Sequence, residues 1–413
     1  MKTYSDALEI IASVIRTLPA EVTGTTEALH RVTAQELSSP IAVPPFDNSA
    51  MDGFALRSAD TLSASTAAPV RLPVVGTLTA GETATSAPAE SGTAWEIMTG
   101  SPIPPGYDCV IPLEQVGIQA RPDNKPEAVL ISQPVEPARN LRHAGEDFQA
   151  GASLLDAGTC INAGQIMGLA AAGIQQLRVA ARPRIATITT GNELEASAHL
   201  APGMIHDANG PYLNAAIAAM SLNNAGTFCC GDSAADLAAR IAALRDETDV
   251  ILTTGGVSAG RMDFVPKTLL ELDAEILFHK IGVRPGKPIL FASIPDGPLV
   301  FGLPGNPVAV AVGFRFFVIP ALRIMQGLPA ESFATASLRQ GMRKKPGMVF
   351  FAKAHVETDS SGQLLVQALP GQESFKINPL MKANCWIVAD PEASEMAAGE
   401  TVRIAPLLRG LKL

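Results

Sequence analysis

The stretch I-A-T-I-T-T-G-N-E-L, residues 185–194, places an apolar β-strand pattern directly before a turn that contains glycine. This arrangement recurs between residues 183 and 326, where strand-like runs alternate with helical spacings of apolar residues. The predicted strands are residues 185–190, 250–254, 277–283, 289–292 and 299–302, with helices around Leu213 and Leu237 and a long helix beginning near Pro307. Alternating strands and helices predict a three-layer α/β domain with a doubly wound, mostly parallel sheet.

The sequence on either side of this region predicts different architectures. The helical spacing of Leu8, Ile11, Ile15 and Leu18 predicts a first helix. We expect this helix to pack beside a second one at residues 163–173. The Pro- and Gly-rich region from about residue 40 to residue 147 predicts a small β-rich domain. Period-two alternation after residue 329 and the turn D-S-S-G at 359–362 predict a C-terminal β-barrel.

Length and composition restrict the class of protein. The 413 residues are too many for one core of ordinary size and predict three or four domains. Hydrophobic residues make up 47% and charged residues 17%, which is typical of a globular protein rather than a disordered chain. The formal net charge of -9 argues against nucleic acid or an anionic membrane as a partner, because both select for a basic surface.

Further features favour a cytoplasmic location. Asp6 and Glu9 fall where a signal peptide would be apolar. The longest apolar run, residues 308–319, is interrupted by Arg315 and stopped by Pro320, so it predicts a buried helix rather than a membrane span. The five cysteines include no C-x-x-C pair and the six histidines no H-E-x-x-H motif, which argues against a disulfide framework and a zinc site.

Three glycine-containing turns follow predicted strands of the α/β domain. They are T-T-G-N-E-L (189–194), T-T-G-G-V-S-A-G-R-M-D (253–263) and G-L-P-G-N-P (302–307). Ligands of open α/β sheets bind outside the carboxyl ends of the strands, so the three turns predict a nucleotide or anion site on one rim. The helix near Pro307 is expected to add free N–H groups. Any one of these turns by itself is better explained as a tight turn into a helix, and only the three together favour a site.

Acidic residues near this rim suggest a divalent cation. Glu193, Asp207 and Asp263 would repel one another without a cation, and carboxylates beside phosphates suit Mg²⁺. Asp207 is also explained as a helix cap.

A basic segment, K-I-G-V-R-P-G-K-P, follows at residues 280–288. If the strand is regular, Lys280 and Arg284 point to one face, where together with Lys287 they could hold a small oxyanion. A solvated basic edge strand explains the same residues equally well.

The β-rich region carries three motifs that mix turn formers with reactive side chains. They are F-D-N-S-A-M-D-G-F-A (46–55), W-E-I-M-T-G-S-P-I-P-P-G (95–106) and L-R-H-A-G-E-D (141–147). Their reactive residues are Asp52, Thr99, Arg142 and Asp147. Composition alone does not separate a site from a set of turns.

Taken in order along nearly the whole chain, these motifs resemble the MoeA family, to which the E domain of gephyrin is similar. The resemblance implies a homodimer whose active cleft joins the α/β domain of one subunit to the β-rich domain of the other. It also implies four domains: an elongated helical and linker domain (1–41 plus 148–178), an inserted β-rich domain (42–147), a MogA-like α/β domain (179–327) and a C-terminal β-barrel (328–413).

The reaction implied by the resemblance is transfer of molybdenum from molybdate to adenylylated molybdopterin, with Mg²⁺, giving molybdenum cofactor and AMP. The implied catalytic residues are Asp52, Thr99, Asp147, Glu193 and Asp263, of which Glu193 and Asp263 would bind Mg²⁺. The implied substrate- or nucleotide-binding residues are Arg142, Gly191, Asp232, Gly255, Gly256, Pro304, Gly305 and Pro307. The implied molybdate-binding residues are Ser258, Lys280, Arg284, Lys287, Lys353 and Ser374. A MogA-type adenylyltransferase and molybdoenzyme chaperones are expected as further partners.

The chain departs from the family pattern in a few places. Asn192 stands where Asp is frequent, Arg284 where Lys is frequent, and Lys353 where Arg is common; Asn378 and Pro379 replace a usual pair of serines. Lysine lacks the bidentate fork of arginine, so a degenerate paralogue or a pterin-binding scaffold stays an alternative. A MogA-type adenylyltransferase is a second alternative, although it would lack the extra β domains. A Rossmann dehydrogenase is disfavoured because no G-x-G-x-x-G follows a first strand.

Overall fold

The computed structural model describes residues 1–83, 90–195, 197–257 and 264–408. The chain begins with helix α1 (Tyr4–Val14), whose N-terminus is closed by reciprocal hydrogen bonds between Thr3 and Asp6. Its buried residues Ala7 and Ile11 lie in the core of the α/β domain, and the Tyr4 ring packs edge-on against Phe317 at 5.5 Å. The expectation that α1 packs beside the second helix is therefore wrong. Strands β1 (Ala20–Gly24) and β2 (Leu37–Ser38) follow.

The next region is a β-rich unit with its own core. Its strands are β3 (Asn48–Ser49), β4 (Gly53–Leu56), β5 (Val70–Leu78), β6 (Ala94–Ile97), β7 (Cys109–Pro112), β8 (Gly117–Ala120), β9 (Pro126–Ile131) and β10 (Leu141–Arg142). Six of them form one sheet in the order β7-β4-β6-β5-β9-β8, and β3 pairs with β10. Short 3-10 helical turns occupy Thr25–Glu27, Ser58–Thr61 and Leu113–Gln115.

The chain then returns to the neighbourhood of its first strands. β11 (Ser153–Leu155) pairs antiparallel with β2, and β12 (Gln176–Ala180) pairs antiparallel with β1. Between them lies α2 (Ala163–Ala171), whose buried Leu169 packs into a small core separate from that of α1. The β-rich unit is thus an insertion between two halves of a ribbon-like segment.

The α/β domain has the predicted three layers. Its elements are β13 (Arg184–Thr190), α3 (Asn209–Ala219), β14 (Asn223–Cys230), α4 (Ala234–Leu244), β15 (Val250–Thr254), α5 (Val265–Glu271), β16 (Glu275–His279), β17 (Val283–Arg284), β18 (Leu290–Ser293) and β19 (Leu299–Leu303). The sheet order is β14-β13-β15-β19-β18-β16, with β14, β13, β15 and β19 parallel and β18 antiparallel to both its neighbours. α3 packs on one face, and α4 and α5 pack on the other.

The predicted strand at 277–283 is interrupted. β16 ends at His279, and Lys280 adopts a left-handed backbone conformation with φ of 70°. β17 then leaves the α/β sheet and pairs in parallel with a strand of the C-terminal barrel. Lys280 and Arg284 therefore do not lie on one regular strand, and the argument that they share a face is wrong.

One continuous helix, Pro307–Met325, crosses the core. It consists of α6 (Pro307–Gly313), a π-helical turn (Phe314–Val318) and α7 (Ile319–Met325). Within the described residues it alone is long and apolar enough to span a membrane, yet 83% of its apolar window is buried inside the protein. The prediction of a buried helix is confirmed.

The C-terminal region forms the predicted barrel. Its elements are β20 (Ala334–Leu338), β21 (Met342–Arg343), β22 (Val349–Thr358), β23 (Leu364–Ala368), α8 (Ile377–Lys382), β24 (Cys385–Ala389), β25 (Glu395–Met396) and β26 (Thr401–Pro406). β22, β23, β20, β26 and β24 pair in sequence, and β24 pairs again with β22, which closes the barrel. The predicted turn at 359–362 joins β22 to β23.

Candidate active site

The three glycine turns meet at one edge of the α/β sheet, because β13, β15 and β19 are parallel. Gly255 has φ of +90°, and a Cβ there would lie 2.7 Å from the carbonyl oxygen of Thr190. A Cβ on Gly305 would lie 3.9 Å from the Cα of Gly255. The turns that follow the three strands are therefore packed against one another, and Gly255 has to be glycine for them to approach so closely.

Asp232 joins the turn after β13 to the turn after β14. The Asn192 N–H donates to the Asp232 carboxylate at 3.3 Å, and the Asp232 N–H donates to the Asn192 side-chain oxygen at 3.0 Å. Asp232 therefore orients the two turns. The neighbouring Glu193 is exposed, and no hydrogen bond from a described residue engages its carboxylate.

Of the remaining acidic residues near the rim, Asp207 has a structural role. Its carboxylate accepts hydrogen bonds from the N–H groups of Asn209 at 2.9 Å and Gly210 at 3.1 Å, at the start of α3. Asp207 thus closes the start of α3 from the position before the N-cap residue Ala208, which agrees with its interpretation as a capping residue. Asp263 and Ser258 lie outside the described residues. The described residues contain no group of three or more metal-ligating side chains.

The N-terminus of the long helix does not offer free N–H groups. Val308 donates its N–H to the carbonyl oxygen of Ser374 at 3.0 Å, and Ala309 and Val310 donate theirs to the carbonyl oxygen of Asn306. Pro307 has no N–H. The expectation that this helix start binds an anion through its backbone is wrong, because a segment of the barrel already occupies it.

A groove of about 1190 Å³ separates the rim from the barrel. From the α/β side it is lined by Arg284, Lys287, Pro304 and Gly305, and from the barrel side by Ser374. The barrel also contributes three consecutive basic residues that the sequence analysis missed, Arg343, Lys344 and Lys345. Their signal was the run R-K-K, three consecutive basic residues.

The basic side chains around the groove differ in whether they already have partners among the described residues. Arg284 and Lys287 are exposed, and neither forms an ion pair with a described residue. Arg343 pairs with Glu395 at 2.7 Å. The Lys344 ammonium donates to the carbonyl oxygens of Met348 and Pro391, both at 3.1 Å, and its burial lowers its pKa.

Lys353 and Lys280 do not belong to the described lining of the groove. Lys353 is 0% exposed, and its ammonium donates to the carbonyl oxygens of Glu373 and Lys376, both at 3.1 Å. Burial lowers the pKa of this ammonium, and the nearby Glu373 carboxylate partly opposes that shift. In this arrangement Lys353 cannot touch a ligand in the groove, which corrects its assignment as a molybdate contact.

The β-rich region holds a second group of the predicted site residues. The Asp52 carboxylate accepts hydrogen bonds from the Thr99 N–H at 2.6 Å and the Thr99 hydroxyl at 2.7 Å, and these bonds lower the pKa of Asp52. Arg142 lies in β10 and Asp147 follows that strand, and both are exposed. None of the four lies in the described lining of the groove of its own subunit.

Asp47 is an additional polar residue of this region that sequence reasoning missed. Its carboxylate accepts a hydrogen bond from the Ala144 N–H at 2.7 Å and lies 3.4 Å from the His143 ring nitrogen. Both interactions lower the pKa of Asp47, the backbone bond most. The signal in the sequence was Asp47 itself, the acidic residue of F-D-N at the start of the motif at 46–55.

Three family profiles match successive parts of the chain. The MoeA N-terminal region (domain I and II) matches residues 2–173, a "Probable molybdopterin binding domain" matches 186–324, and the MoeA C-terminal region (domain IV) matches 335–407.

Full-length relatives and structures agree with these matches. A molybdopterin molybdenumtransferase of Synechococcus elongatus is 33% identical over 98% of this chain and 99% of its own length. One from Bacillus subtilis is 34% identical over 92% of this chain and 87% of its own length. The crystal structure of the molybdopterin biosynthesis MoeA protein from Pyrococcus horikoshii OT3 superposes with a TM-score of 0.81 at 26% identity, covering 98% of this chain and 100% of that one.

Proposed function

This chain belongs to the MoeA family and is a molybdopterin molybdenumtransferase that acts in molybdenum cofactor biosynthesis, and on that premise we propose that molybdate binds in the groove between the α/β domain and the barrel. The observation that carries this proposal is that Arg284, Lys287 and Ser374 line the same cavity. Fixed cations and hydroxyl donors are the groups with which proteins bind oxyanions.

Adenylylated molybdopterin is the proposed second substrate. Its AMP portion lies against the glycine rim, where Gly191, Gly255, Gly256 and Gly305 allow a close approach and Pro304 and Pro307 shape the floor. Pro304 and Gly305 belong to both the rim and the groove, which supports placing the phosphoanhydride between the two. The sulfur ligands of molybdenum belong to the pterin dithiolene, in keeping with the lack of ligand spacing among the cysteines of the sequence.

Mg²⁺ is proposed to bind through Glu193 and Asp263. Magnesium in phosphate-binding sites uses one or two carboxylates and takes its other ligands from phosphate and water. The exposed Glu193, whose carboxylate no described residue engages, fits that requirement. Bound there, Mg²⁺ would neutralise charge on the phosphoanhydride. Asp232 would orient the turn that carries Glu193.

A homodimer is proposed to complete the site. Asp52, Thr99, Arg142 and Asp147 would reach the groove from the β-rich domain of a second subunit, since they do not line it in their own. Exposed apolar residues in the same region support a contact surface there, namely Ile41 (41% exposed), Phe46 (45%) and Met51 (43%). A cytoplasmic location is also proposed, with a MogA-type adenylyltransferase and molybdoenzyme chaperones as transient partners.

The first experiment measures AMP release from adenylylated molybdopterin with Mg²⁺ across molybdate and tungstate concentrations. Molybdate-stimulated release is expected, and Arg284→Met and Lys287→Met should each raise the half-saturating molybdate concentration about tenfold or more, as loss of a charge-assisted hydrogen bond predicts. The exposed Lys125 of the β-rich domain supplies a matched control, Lys125→Met, that should change nothing.

Two outcomes count against the proposal. Unchanged molybdate dependence in both groove variants would remove the groove as the molybdate site. Tight pterin binding by the wild type without AMP release under any condition would instead identify a scaffold or degenerate paralogue.

A further inference from the structure

Lys353 lies in β22 with its side chain closed off from solvent. Its ammonium donates to the carbonyl oxygens of Glu373 and Lys376, and its backbone N–H donates to the Gln372 side-chain oxygen at 2.9 Å. The Gln372 amide returns a hydrogen bond to the Lys353 carbonyl oxygen at 2.9 Å, as does the Leu369 N–H. One residue of the barrel strand therefore holds the whole segment 369–376.

That segment carries Ser374 into the groove. The Ser374 hydroxyl oxygen accepts a hydrogen bond from the Asn306 side chain at 3.0 Å, and the Ser374 carbonyl oxygen accepts one from the Val308 N–H at 3.0 Å. No acceptor among the described residues takes the hydroxyl proton of Ser374, which leaves that proton for a ligand. The two carbonyl groups that bind the Lys353 ammonium lie on either side of Ser374 in the chain.

The same strand also sets the position of Arg284. β17 pairs with β22, with Arg284 opposite Phe350, three residues before Lys353. A buried ammonium needs acceptors, and the Glu373 carboxylate is already paired with Lys376 at 2.9 Å, so the backbone carbonyl groups supply them. Turning Lys353 toward the groove would break both ammonium hydrogen bonds and free the carbonyl groups of Glu373 and Lys376, on either side of Ser374, while the backbone bonds of Lys353 to Gln372 and Leu369 would remain.

Resting on the groove proposed above as the molybdate site, we propose that Lys353 is a positioning residue for molybdate. It holds segment 369–376 against β22 so that the Ser374 hydroxyl faces the groove beside Arg284, and it does not touch the oxyanion. The roles are thus divided between different residues. Arg284 and Lys287 supply positive charge to the oxyanion, whereas Lys353 acts only through the Ser374 hydroxyl.

A double-mutant cycle tests this in the full-length protein. Lys353→Met, Ser374→Ala and the double variant are compared by the molybdate dependence of AMP release and by equilibrium dialysis with molybdate. Ser374→Ala should raise the half-saturating molybdate concentration about tenfold, because it removes one hydrogen bond to a charged group. Lys353→Met should raise it to a similar degree, and the double variant should be no worse than Ser374→Ala. Multiplied effects in the double variant, or unchanged molybdate binding in Lys353→Met, would overturn the proposal.

Further variants separate positioning from a general loss of structure. Lys353→Arg keeps a donor for the two carbonyl groups and should recover most of the affinity. Lys382→Met removes an exposed lysine from α8, outside the groove, and should leave molybdate binding unchanged. Where Lys353→Met does not fold, Lys353→Gln replaces it in the cycle: its amide is one bond shorter than the lysine ammonium, so it should hold the two carbonyl groups less well and raise the half-saturating molybdate concentration above that of Lys353→Arg. If Arg284→Met and Ser374→Ala weaken molybdate binding but Lys353→Met does not, only the positioning role fails; if none responds, the groove itself is wrong.

Discussion

The ionised form of Asp52 is stabilised by a single neighbouring residue, Thr99, which donates both its N–H and its hydroxyl to one carboxylate oxygen. The pKa of Asp52 is lowered by these bonds. A carboxyl group whose pKa is lower in the folded protein adds stability that is present above its unfolded pKa and disappears as the pH falls through its folded pKa. This contribution is therefore complete at neutral pH and is lost in acid, below the ordinary aspartate pKa of about 3.9.

Thr99→Val removes the hydroxyl donor and keeps the backbone donor. We expect the pKa of Asp52 to rise partway toward its ordinary value, measured by NMR titration of the side-chain carboxyl carbon. Thr77→Val provides the control, since Thr77 donates to Glu96 in the same domain at 2.8 Å and should leave Asp52 unchanged. An Asp52 titration that is identical in wild type and Thr99→Val would show that the hydroxyl bond has no role.

Residue type and spacing predicted some members of the groove and misplaced others. Arg284 and Lys287 lie where the sequence predicted a basic site. Lys280 does not line the groove, because the predicted strand is interrupted at Lys280 itself, which has a left-handed backbone conformation although it is not glycine. Nothing in the spacing of residues along the sequence marks such an interruption. Lys353 was misassigned although a signal existed: it lies inside the apolar run V-F-F-A-K-A, and five apolar neighbours around one lysine indicate burial.

At the scale of elements, Gly53 determines how closely β4 and β7 pack. A Cβ at this position would lie 2.0 Å from the carbonyl oxygen of Ile111. The glycine of the F-D-N-S-A-M-D-G-F-A motif is thus explained by strand packing, whatever the catalytic role of the neighbouring Asp52.

Gly53→Ala should therefore destabilise the β-rich domain by about 2 kcal/mol or more, since backbone has to move. Trp95 in β6 reports on this domain in urea unfolding if Trp386 of the barrel is first replaced by Phe. Gly117→Ala, in β8 of the same sheet, is the matched strand variant: the nearest atom to an added Cβ is the Leu130 side-chain Cβ at 3.3 Å rather than backbone, and stability should shift by less than about 1 kcal/mol. Equal midpoints for the two variants would refute the packing argument.

The long helix is tied to the barrel through Arg315. This side chain is 0% exposed; its Nε donates to the Pro406 carbonyl oxygen at 2.8 Å, and its guanidinium pairs with Glu331 at 2.8 Å. The residue lies in the π-helical turn, within the apolar run of the helix at residues 308–319. An ion pair with one fully buried partner is costly to break from one side, because the remaining groups stay unpaired.

Arg315→Met should lower the free energy of unfolding by about 2–4 kcal/mol. Arg339→Met breaks an exposed pair with Glu357, whose side chains are 47% and 45% exposed, and should cost less than about 1 kcal/mol. Chemical denaturation followed by Trp386 fluorescence compares the two. Similar losses in both variants would mean that the buried pair does not anchor the helix.

At the scale of the whole molecule, periodicity predicted the α/β domain and the barrel but not how distant segments meet. The amphipathic pattern of α1 showed that one face is buried, and it could not show that this face packs on the α/β core instead of α2. The free helix start expected at Pro307 is occupied by Ser374, a residue far along the chain. Contacts between sequence-distant domains decide both cases, and local patterns carry no information about them.

The proposed dimer leads to a prediction at the same scale. If each cleft takes Asp52 from one subunit and Arg284 from the other, a dimer of Asp52→Asn with Arg284→Met contains one cleft with both defects and one with neither. At a molybdate concentration far below the half-saturating value of Arg284→Met, where both parent variants are strongly impaired, random mixing should then restore roughly a quarter of wild-type AMP release, as two-fold symmetry requires. Arg284→Met mixed with Lys287→Met should restore nothing, because both changes fall in the same half of the cleft. Mixed dimers, verified by light scattering, that are no more active than their parents would show that the β-rich domain does not complete the groove of its partner.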